Sequence, residues 1–197
     1  MSIRRRHLLF ALAVASLSAV IPSTSLADPF GSGQPGQPNP GLWVADGADH
    51  WYCLHDVPAV DQWRYHNALA ILDVQTDMYD VHTPTCGTAT DIVFIVNNNI
   101  ELNGLTGCMI WVLRPSVCDQ AWVAVSPANV HAGYGTAGFN TSYNKTIGHE
   151  TGHTVGLTHN FWTISTMRSG PIHDLGWFNY LWTLYEPHHV DHINAQY

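Results

Sequence analysis

Residues 146–167, TIGHETGHTVGLTHNFWTISTM, constrain the fold more than any other stretch of the chain. His149 and His153 are four residues apart, so on a helix they lie one turn apart on the same face. Glu150 directly follows His149 and would sit about 100° further around the helix axis. The spacing therefore predicts a helix that presents two imidazoles on one face, with a carboxylate beside them.

Three glycines recur at every fourth position of this stretch, as Gly148, Gly152 and Gly156. Each glycine costs a helix about 1 kcal/mol relative to alanine. We expect the glycines to form a smooth stripe that another part of the chain approaches closely. Gly156 is also expected to end the helix with a positive φ, which glycine adopts without strain.

His159 follows the predicted end of the helix and supplies a third imidazole once the chain turns back at Gly156. A catalytic zinc ion usually takes three protein ligands and one water. The pattern HExxHxxGxxH thus predicts one Zn²⁺ ion bound by His149, His153 and His159. Glu150 is predicted to take a proton from the attacking water and to pass it to the leaving amine.

Residues 1–27 have the features of a secretory signal peptide. Arginines at positions 4–6 precede an apolar run over residues 8–21, and a small-x-small cleavage pattern ends at Ala27. The apolar run is short for a membrane-spanning helix, so we expect a secreted protein with no membrane contact after cleavage. The arginine pair leaves the general and the twin-arginine export routes both open.

Residues 28–41 are rich in Pro and Gly and are expected to form a flexible tail, which leaves residues 42–197 as one domain. Three of the 7 Lys and Arg residues leave with the signal peptide, whereas all 15 Asp and Glu residues stay. The remaining chain lacks the basic surface that nucleic-acid binding requires. We expect protein or peptide substrates, no nucleic-acid partner, and a monomer.

Four cysteines remain after signal cleavage, and an even count in an exported protein suggests two disulfides. Three pairings are possible. The short loop between Cys108 and Cys118 favours a bond between these two, which leaves Cys53 to pair with Cys86. A cysteine-ligated zinc site is the competing interpretation, but no CxxC spacing supports it.

Hydrophobic patterns predict an α+β fold, a mixed α/β arrangement in which helices pack against a small sheet. A helix is predicted over residues 58–74, starting at Pro58, and a terminal helix is predicted to start at Pro187. Residues 133–139, GYGTAGF, are predicted to form a loop. Strands are predicted over 90–97, 107–113 and 121–126, and less firmly near 80–82.

The site residues together with Met167 resemble the metzincin metallopeptidases, whose signature is HExxHxxGxxH followed by a methionine-containing tight turn. Met167 lies eight residues after His159 in the segment STMRSG, a spacing similar to that of the matrixin branch. Ser169 stands where other branches carry a tyrosine ligand. The chain end, HHVDHINAQY, is similar to the closing helix of matrixin-like enzymes.

The resemblance implies a small twisted mixed sheet with a backing helix and an active-site helix in an upper subdomain, residues 42–156. A short irregular lower subdomain, residues 157–197, would contain the Met-turn and the terminal helix. Met167 would form a structural floor under the metal. A peptide substrate would extend along the edge strand near residues 107–111.

The pattern therefore predicts a secreted zinc endopeptidase. A non-catalytic protein with a structural zinc site and a zinc hydrolase acting on a non-peptide amide remain alternatives. Additional structural Ca²⁺ or Zn²⁺, for example at His131, is conceivable but has no supporting ligand pattern. His189 and His192 flank Asp191 near the chain end, and a second metal is conceivable there too, although we expect solvated histidines.

Overall fold

The computed structural model describes residues 43–112, 116–159 and 163–197. The signal peptide predicted over 1–27 and the tail predicted over 28–41 lie outside these residues. Within the described part of the chain, no helix combines the length and the apolar character needed to cross a membrane.

The structure is a mixed α/β fold with a mostly parallel sheet and three α-helices, in agreement with the predicted class. A 3-10 helix, Gly176–Thr183, precedes the last α-helix. The strands are β1 (Val44–Ala45), β2 (Asp49–His55), β3 (Tyr79–His82), β4 (Ile92–Val96), β5 (Gly104–Trp111) and β6 (Val117–Val125). The α-helices are α1 (Gln62–Gln75), α2 (Pro127–Thr154) and α3 (Pro187–Gln196).

The sheet runs in the order β3, β2, β4, β6, with all of these strands parallel. The short strand β1 pairs in parallel with the first residues of β6. On the other edge of β6, β5 runs antiparallel, with Gly104 opposite Val125 and Cys108 opposite Ala121. Within the described chain β5 pairs with β6 alone, so it is an edge strand of the sheet.

Helices α1 and α2 cover one face of the sheet. Alternate residues of β4, Ile92 and Phe94, are fully buried on this face, as the period of two in a strand requires. Burial of each such side chain contributes about 1.5–3 kcal/mol. The main core is formed by buried residues of the sheet and both helices: Tyr52, Val57, Tyr65, Ala68, Leu69, Ile92, Phe94, Val123, Val125, Val130, Tyr143 and Ile147.

A second buried cluster joins the C-terminal end of α2 to α3. It contains Met167 and Tyr185 from the irregular segment between these helices, and both side chains are buried. The other members are Leu72, Met78, Val155, Leu157 and Ile193. This cluster fixes the last turn of α2 against the segments that follow it in sequence.

Two disulfides connect Cys53 to Cys86 and Cys108 to Cys118. This is the pairing that the short separation of Cys108 and Cys118 favours. The first disulfide ties β2 to the loop before β4, and the second links the antiparallel strands β5 and β6. No cysteine of the chain is left as a free thiol.

The predicted loop over 133–139 is wrong, because these residues belong to α2. Ser126 caps this helix by accepting a bond from the Asn129 backbone N–H at 3.2 Å, and Pro127 occupies the first turn. The glycines leave only one break in the helix, at Gly135, where φ is 62°. Buried residues on both sides of the break keep the helix on the sheet despite its poor local propensity.

Helix α1 begins at Gln62, four residues after the predicted start. Pro58 opens a turn instead, because its carbonyl accepts a hydrogen bond from Asp61 N–H at 2.8 Å. The strands predicted over 90–97, 107–113, 121–126 and near 80–82 correspond to β4, β5, β6 and β3, with the end of the second prediction outside the described residues.

Candidate metal centre

The last turns of α2 position the first two histidines. His149 and Glu150 are buried, with 7% and 6% of their surface exposed. The helix ends at Thr154, and Gly156 has a φ of 92°, as its role as a helix terminator requires. Leu157 N–H donates to the Gly152 carbonyl at 3.0 Å, which turns the chain back. His159 then lies beside the helix that precedes it.

The structure brings His149, His153 and His159 into one cluster. Their ring centroids are separated by 4.7, 4.9 and 4.9 Å, so the three rings form a nearly equilateral triangle. The Nε2 atom of His153 lies 3.2 Å from Nε2 of His149 and 3.1 Å from Nε2 of His159. Three Nε2 atoms therefore converge on one small volume.

Backbone carbonyls set the tautomers of two of these rings. Nδ1 of His149 lies 2.8 Å from the Thr166 carbonyl oxygen, and Nδ1 of His153 lies 2.7 Å from the Leu157 carbonyl oxygen. A carbonyl can only accept, so both Nδ1 atoms carry the proton and donate it. The Nε2 atoms of the two rings consequently present lone pairs to each other.

Burial keeps the rings neutral. Desolvation is the largest cause that lowers the pKa of each imidazole, to about 4 for His153 and His159 and well below 6.5 for His149. Neighbouring positive charge, including that of Lys145, lowers these pKa values further. At neutral pH the cluster is therefore a set of uncharged nitrogen donors.

The donor set fits a tetrahedral transition-metal ion. Two unprotonated nitrogens 3.2 Å apart repel each other, and a cation between them removes this repulsion. In a tetrahedral zinc site with Zn–N bonds of about 2.0–2.1 Å, two ligand nitrogens lie roughly 3.3 Å apart. The Nε2–Nε2 separations of 3.1 and 3.2 Å in this cluster are close to that distance. The hydrogen bonds at Nδ1 are the kind of outer contact that orients metal-binding histidines.

Glu150 lies beside this cluster but is not one of its donor atoms. Burial raises the pKa of its carboxyl to about 7, while a hydrogen bond from Thr106 and the charge of Lys145 act in the opposite direction. The Thr106 hydroxyl lies 2.7 Å from Glu150 Oε2. The backbone of β5 passes so close that a Cβ on Gly104 would come within 2.6 Å of Glu150 Cγ.

Met167 packs beneath the helix that carries the histidines. Its side chain is fully buried, and it lies in a turn closed by a bond from Arg168 N–H to the Ser165 carbonyl at 3.2 Å. A Cβ added to Gly152 would overlap Met167 Sδ, and one added to Gly148 would lie 2.8 Å from Thr166 Oγ1. The absence of side chains at Gly148 and Gly152 therefore lets this turn pack directly against the helix. The Thr166 carbonyl, which lies in the same segment, orients the His149 ring.

A cleft of about 220 Å³ opens beside the donor cluster. Its walls come from the start of β5 and the residues just before it, from α2, and from the segments that follow α2. The lining residues include Leu102, Asn103, Gly104, Tyr134, Ser142, Lys145, Thr146, His149, Glu150, His159, Ser169, Gly170 and Ile172. His149, Glu150 and His159 all face this cleft, so the centre is accessible from it.

Lys145 and Thr106 are site residues that the sequence analysis missed. Lys145 is buried at the cleft, its Nζ donates to the Arg168 carbonyl, and burial lowers its pKa to about 8. The sequence did contain a signal for Lys145. It is the only lysine of the chain, and it lies one helical turn before His149. Thr106 had no such signal, because it reaches Glu150 only once β5 packs against α2.

The chain matches no protein-family model, and no curated protein compared with it gives a match.

Proposed function

We propose that this chain is a secreted zinc-dependent endopeptidase of the metzincin type, with a spacing from His159 to Met167 that resembles the matrixin branch. The observation that carries the proposal is the convergence of three neutral histidine nitrogens beside a buried carboxyl group, at the wall of an open cleft. The turn containing Met167 under the histidine helix further supports the resemblance to metzincins.

In the proposed mechanism, His149, His153 and His159 would hold a zinc ion through Nε2. When bound, the ion would supply Lewis acidity, which lowers the pKa of a bound water towards about 7 and stabilises charge on a carbonyl oxygen. Glu150 accepts the proton of the attacking water and then donates it to the leaving amine. Thr106 holds one oxygen of Glu150, so that the other carboxylate oxygen is directed to this proton transfer.

The edge of β5 is the proposed binding surface for an extended peptide. β5 borders the cleft at Gly104, and its far end carries the exposed side chains of Met109 and Trp111. An extended peptide can pair with the free edge of a sheet through main-chain hydrogen bonds, with its side chains entering pockets alternately. This arrangement would bring a scissile bond to Glu150.

A structural zinc site is the second candidate function. Structural zinc sites are usually closed by four protein ligands. Within the described chain, the donor cluster contains His149, His153 and His159 only, and it borders the cleft. These features favour catalysis. A non-peptide amide substrate uses the same chemistry, and a panel of peptides and small amides separates the two activities.

Activity is expected to depend on pH through Glu150. A base acts when deprotonated, so kcat/KM should fall as the pH drops through the pKa of this carboxyl, which is about 7 before metal binding and lower beside a bound cation. Lys145, whose pKa is about 8, is protonated at pH 7 and favours the carboxylate. Lys145→Met should therefore move the acidic limb of the kcat/KM profile to higher pH.

The matched control is Arg64→Met, which removes a positive charge on α1 away from the cleft and should leave the limb in place. If Lys145→Met leaves the limb unchanged or lowers it, the predicted electrostatic link between Lys145 and Glu150 is wrong.

Metal removal tests the proposed function directly. The purified protein is expected to cleave an unstructured protein such as casein, to lose this activity with a zinc chelator, and to regain it when Zn²⁺ is restored. Circular dichroism should show a folded chain throughout. Cleavage that resists the chelator would reject a zinc peptidase, and unfolding on zinc removal without any prior activity would favour the structural site.

A further inference from the structure

A second group of metal-type ligands lies at the start of α3. Glu186 precedes the helix, and His188 and His189 occupy its first turn. His188 Nδ1 lies 3.3 Å from Glu186 Oε2, and His189 Nδ1 lies 3.5 Å from Glu186 Oε1. One ligand atom from each of the three residues lies within 4.8 Å of the others.

The side chains in this group are largely removed from solvent, and the expectation that His189 is solvated is wrong. The exposed fractions of the side chains are 10% for Glu186, 5% for His189 and 26% for His188. The packing of Ile193 and Val190 into the second core cluster turns this face of α3 inward. His189 is carried into the interior with them.

Two atoms of this group are buried and make no hydrogen bond within the described chain: Glu186 Oε1 and His189 Nδ1. They face each other at 3.5 Å, which is long for a hydrogen bond. Buried polar atoms in folded proteins nearly always have a partner, and an exception calls for a bound water or ion. A cation placed among the three residues would satisfy both atoms at once.

The chemistry of the donors selects the kind of cation. Two imidazoles and one carboxylate suit zinc, copper, nickel or iron, whereas calcium and magnesium prefer ligand sets made of oxygen alone. The start of α3 holds all three residues, so their ligand atoms already lie within 4.8 Å of one another.

We propose that Glu186, His188 and His189 bind a second divalent transition-metal ion, distinct from the ion of the first centre. The two sites share no ligand, and this inference does not depend on peptidase activity. Thr163 Oγ1 donates to Glu186 Oε2 at 2.7 Å, which ties the start of α3 to the segment that leads into the Met167 turn. An ion held by Glu186 would reinforce this tie, so its role would be structural.

The test is a count of bound zinc. The full exported chain is stripped of metal, equilibrated with Zn²⁺ and analysed by mass spectrometry for the ratio of metal to protein. The expected ratio is two. The double variant His188→Gln/His189→Gln should bind one equivalent and keep peptidase activity, whereas His149→Gln/His153→Gln should bind one equivalent and lose activity. His55→Gln, which changes an exposed histidine outside both groups, should still bind two.

A ratio of one for the wild-type chain that stays at one in His188→Gln/His189→Gln overturns the inference, because the single ion then lies outside this group. An unchanged ratio of two in His188→Gln/His189→Gln also overturns it. If this double variant does not fold, Glu186→Gln removes one ligand with little change in shape, and the wild-type ratio remains decisive. Failure of the proposed peptidase function would instead appear as absent cleavage with two zinc ions bound.

Discussion

Glu150→Gln is expected to lower kcat/KM for peptide cleavage by about 10²–10⁴-fold, the usual contribution of a positioned general base. Glutamine has the shape of glutamate and its side-chain oxygen still accepts the bond from Thr106, but it cannot take a proton from water. Zinc content should stay unchanged, because Glu150 is not among the converging nitrogen donors. Steady-state kinetics and metal analysis of the same preparation measure both effects.

Glu101→Gln is the matched control, since Glu101 is exposed and lies outside the cleft. It should cleave like the wild-type protein. If Glu150→Gln and Glu101→Gln show equal activity in preparations free of other peptidases, then Glu150 is not the base and the proposed mechanism fails.

Gly152→Ala is expected to lower the free energy of unfolding by about 1–3 kcal/mol, the usual cost of overpacking a core. The new Cβ would overlap Met167 Sδ and lie 3.0 Å from Tyr185 Cε1. Both neighbours are buried, so neither can move aside into solvent. Displacement of the Met167 turn would also weaken the hydrogen bond that His149 Nδ1–H donates to the Thr166 carbonyl, so cleavage should fall as well. Urea unfolding measures the stability change.

Gly133→Ala is the matched control in the same helix. Gly133 is exposed, and a Cβ there has no atom within 4 Å. Alanine at this position should raise stability by up to about 1 kcal/mol, because it favours the helix. Equal stability of the two alanine variants would show that the glycine stripe does not serve close packing.

The bond between Cys108 and Cys118 and the spacing of the histidine cluster were predictable because both depend on short-range geometry, and the bond between Cys53 and Cys86 followed by elimination. A helix places His149 and His153 together whatever surrounds it, and Gly156 turns the chain within reach of His159. Cys108 and Cys118 flank one short hairpin. Each of these relations spans about ten residues or fewer, so local backbone rules decide it.

Other features depended on partners distant in sequence. β2 contains polar residues and gave no strand signal, yet pairing with β3 on one side and β4 on the other makes it a central strand. The glycines of 133–139 indicated a loop, but core contacts on both sides hold the segment in α2. His189 is buried because neighbouring residues of α3 pack into the second cluster.

The sequence by itself determined the candidate metal-ligand set, the position of the candidate base and the end of the helix that carries them, because a motif of eleven residues contains all of them. Only the tertiary structure decided what surrounds them. Contacts between separate elements place the Thr106 hydroxyl on Glu150 and the Thr166 carbonyl on His149. Such contacts also bury Lys145 in the cleft wall and the group around Glu186. Local propensity carries no information about such contacts, since they exist only once the sheet, the helices and the Met167 turn have packed together.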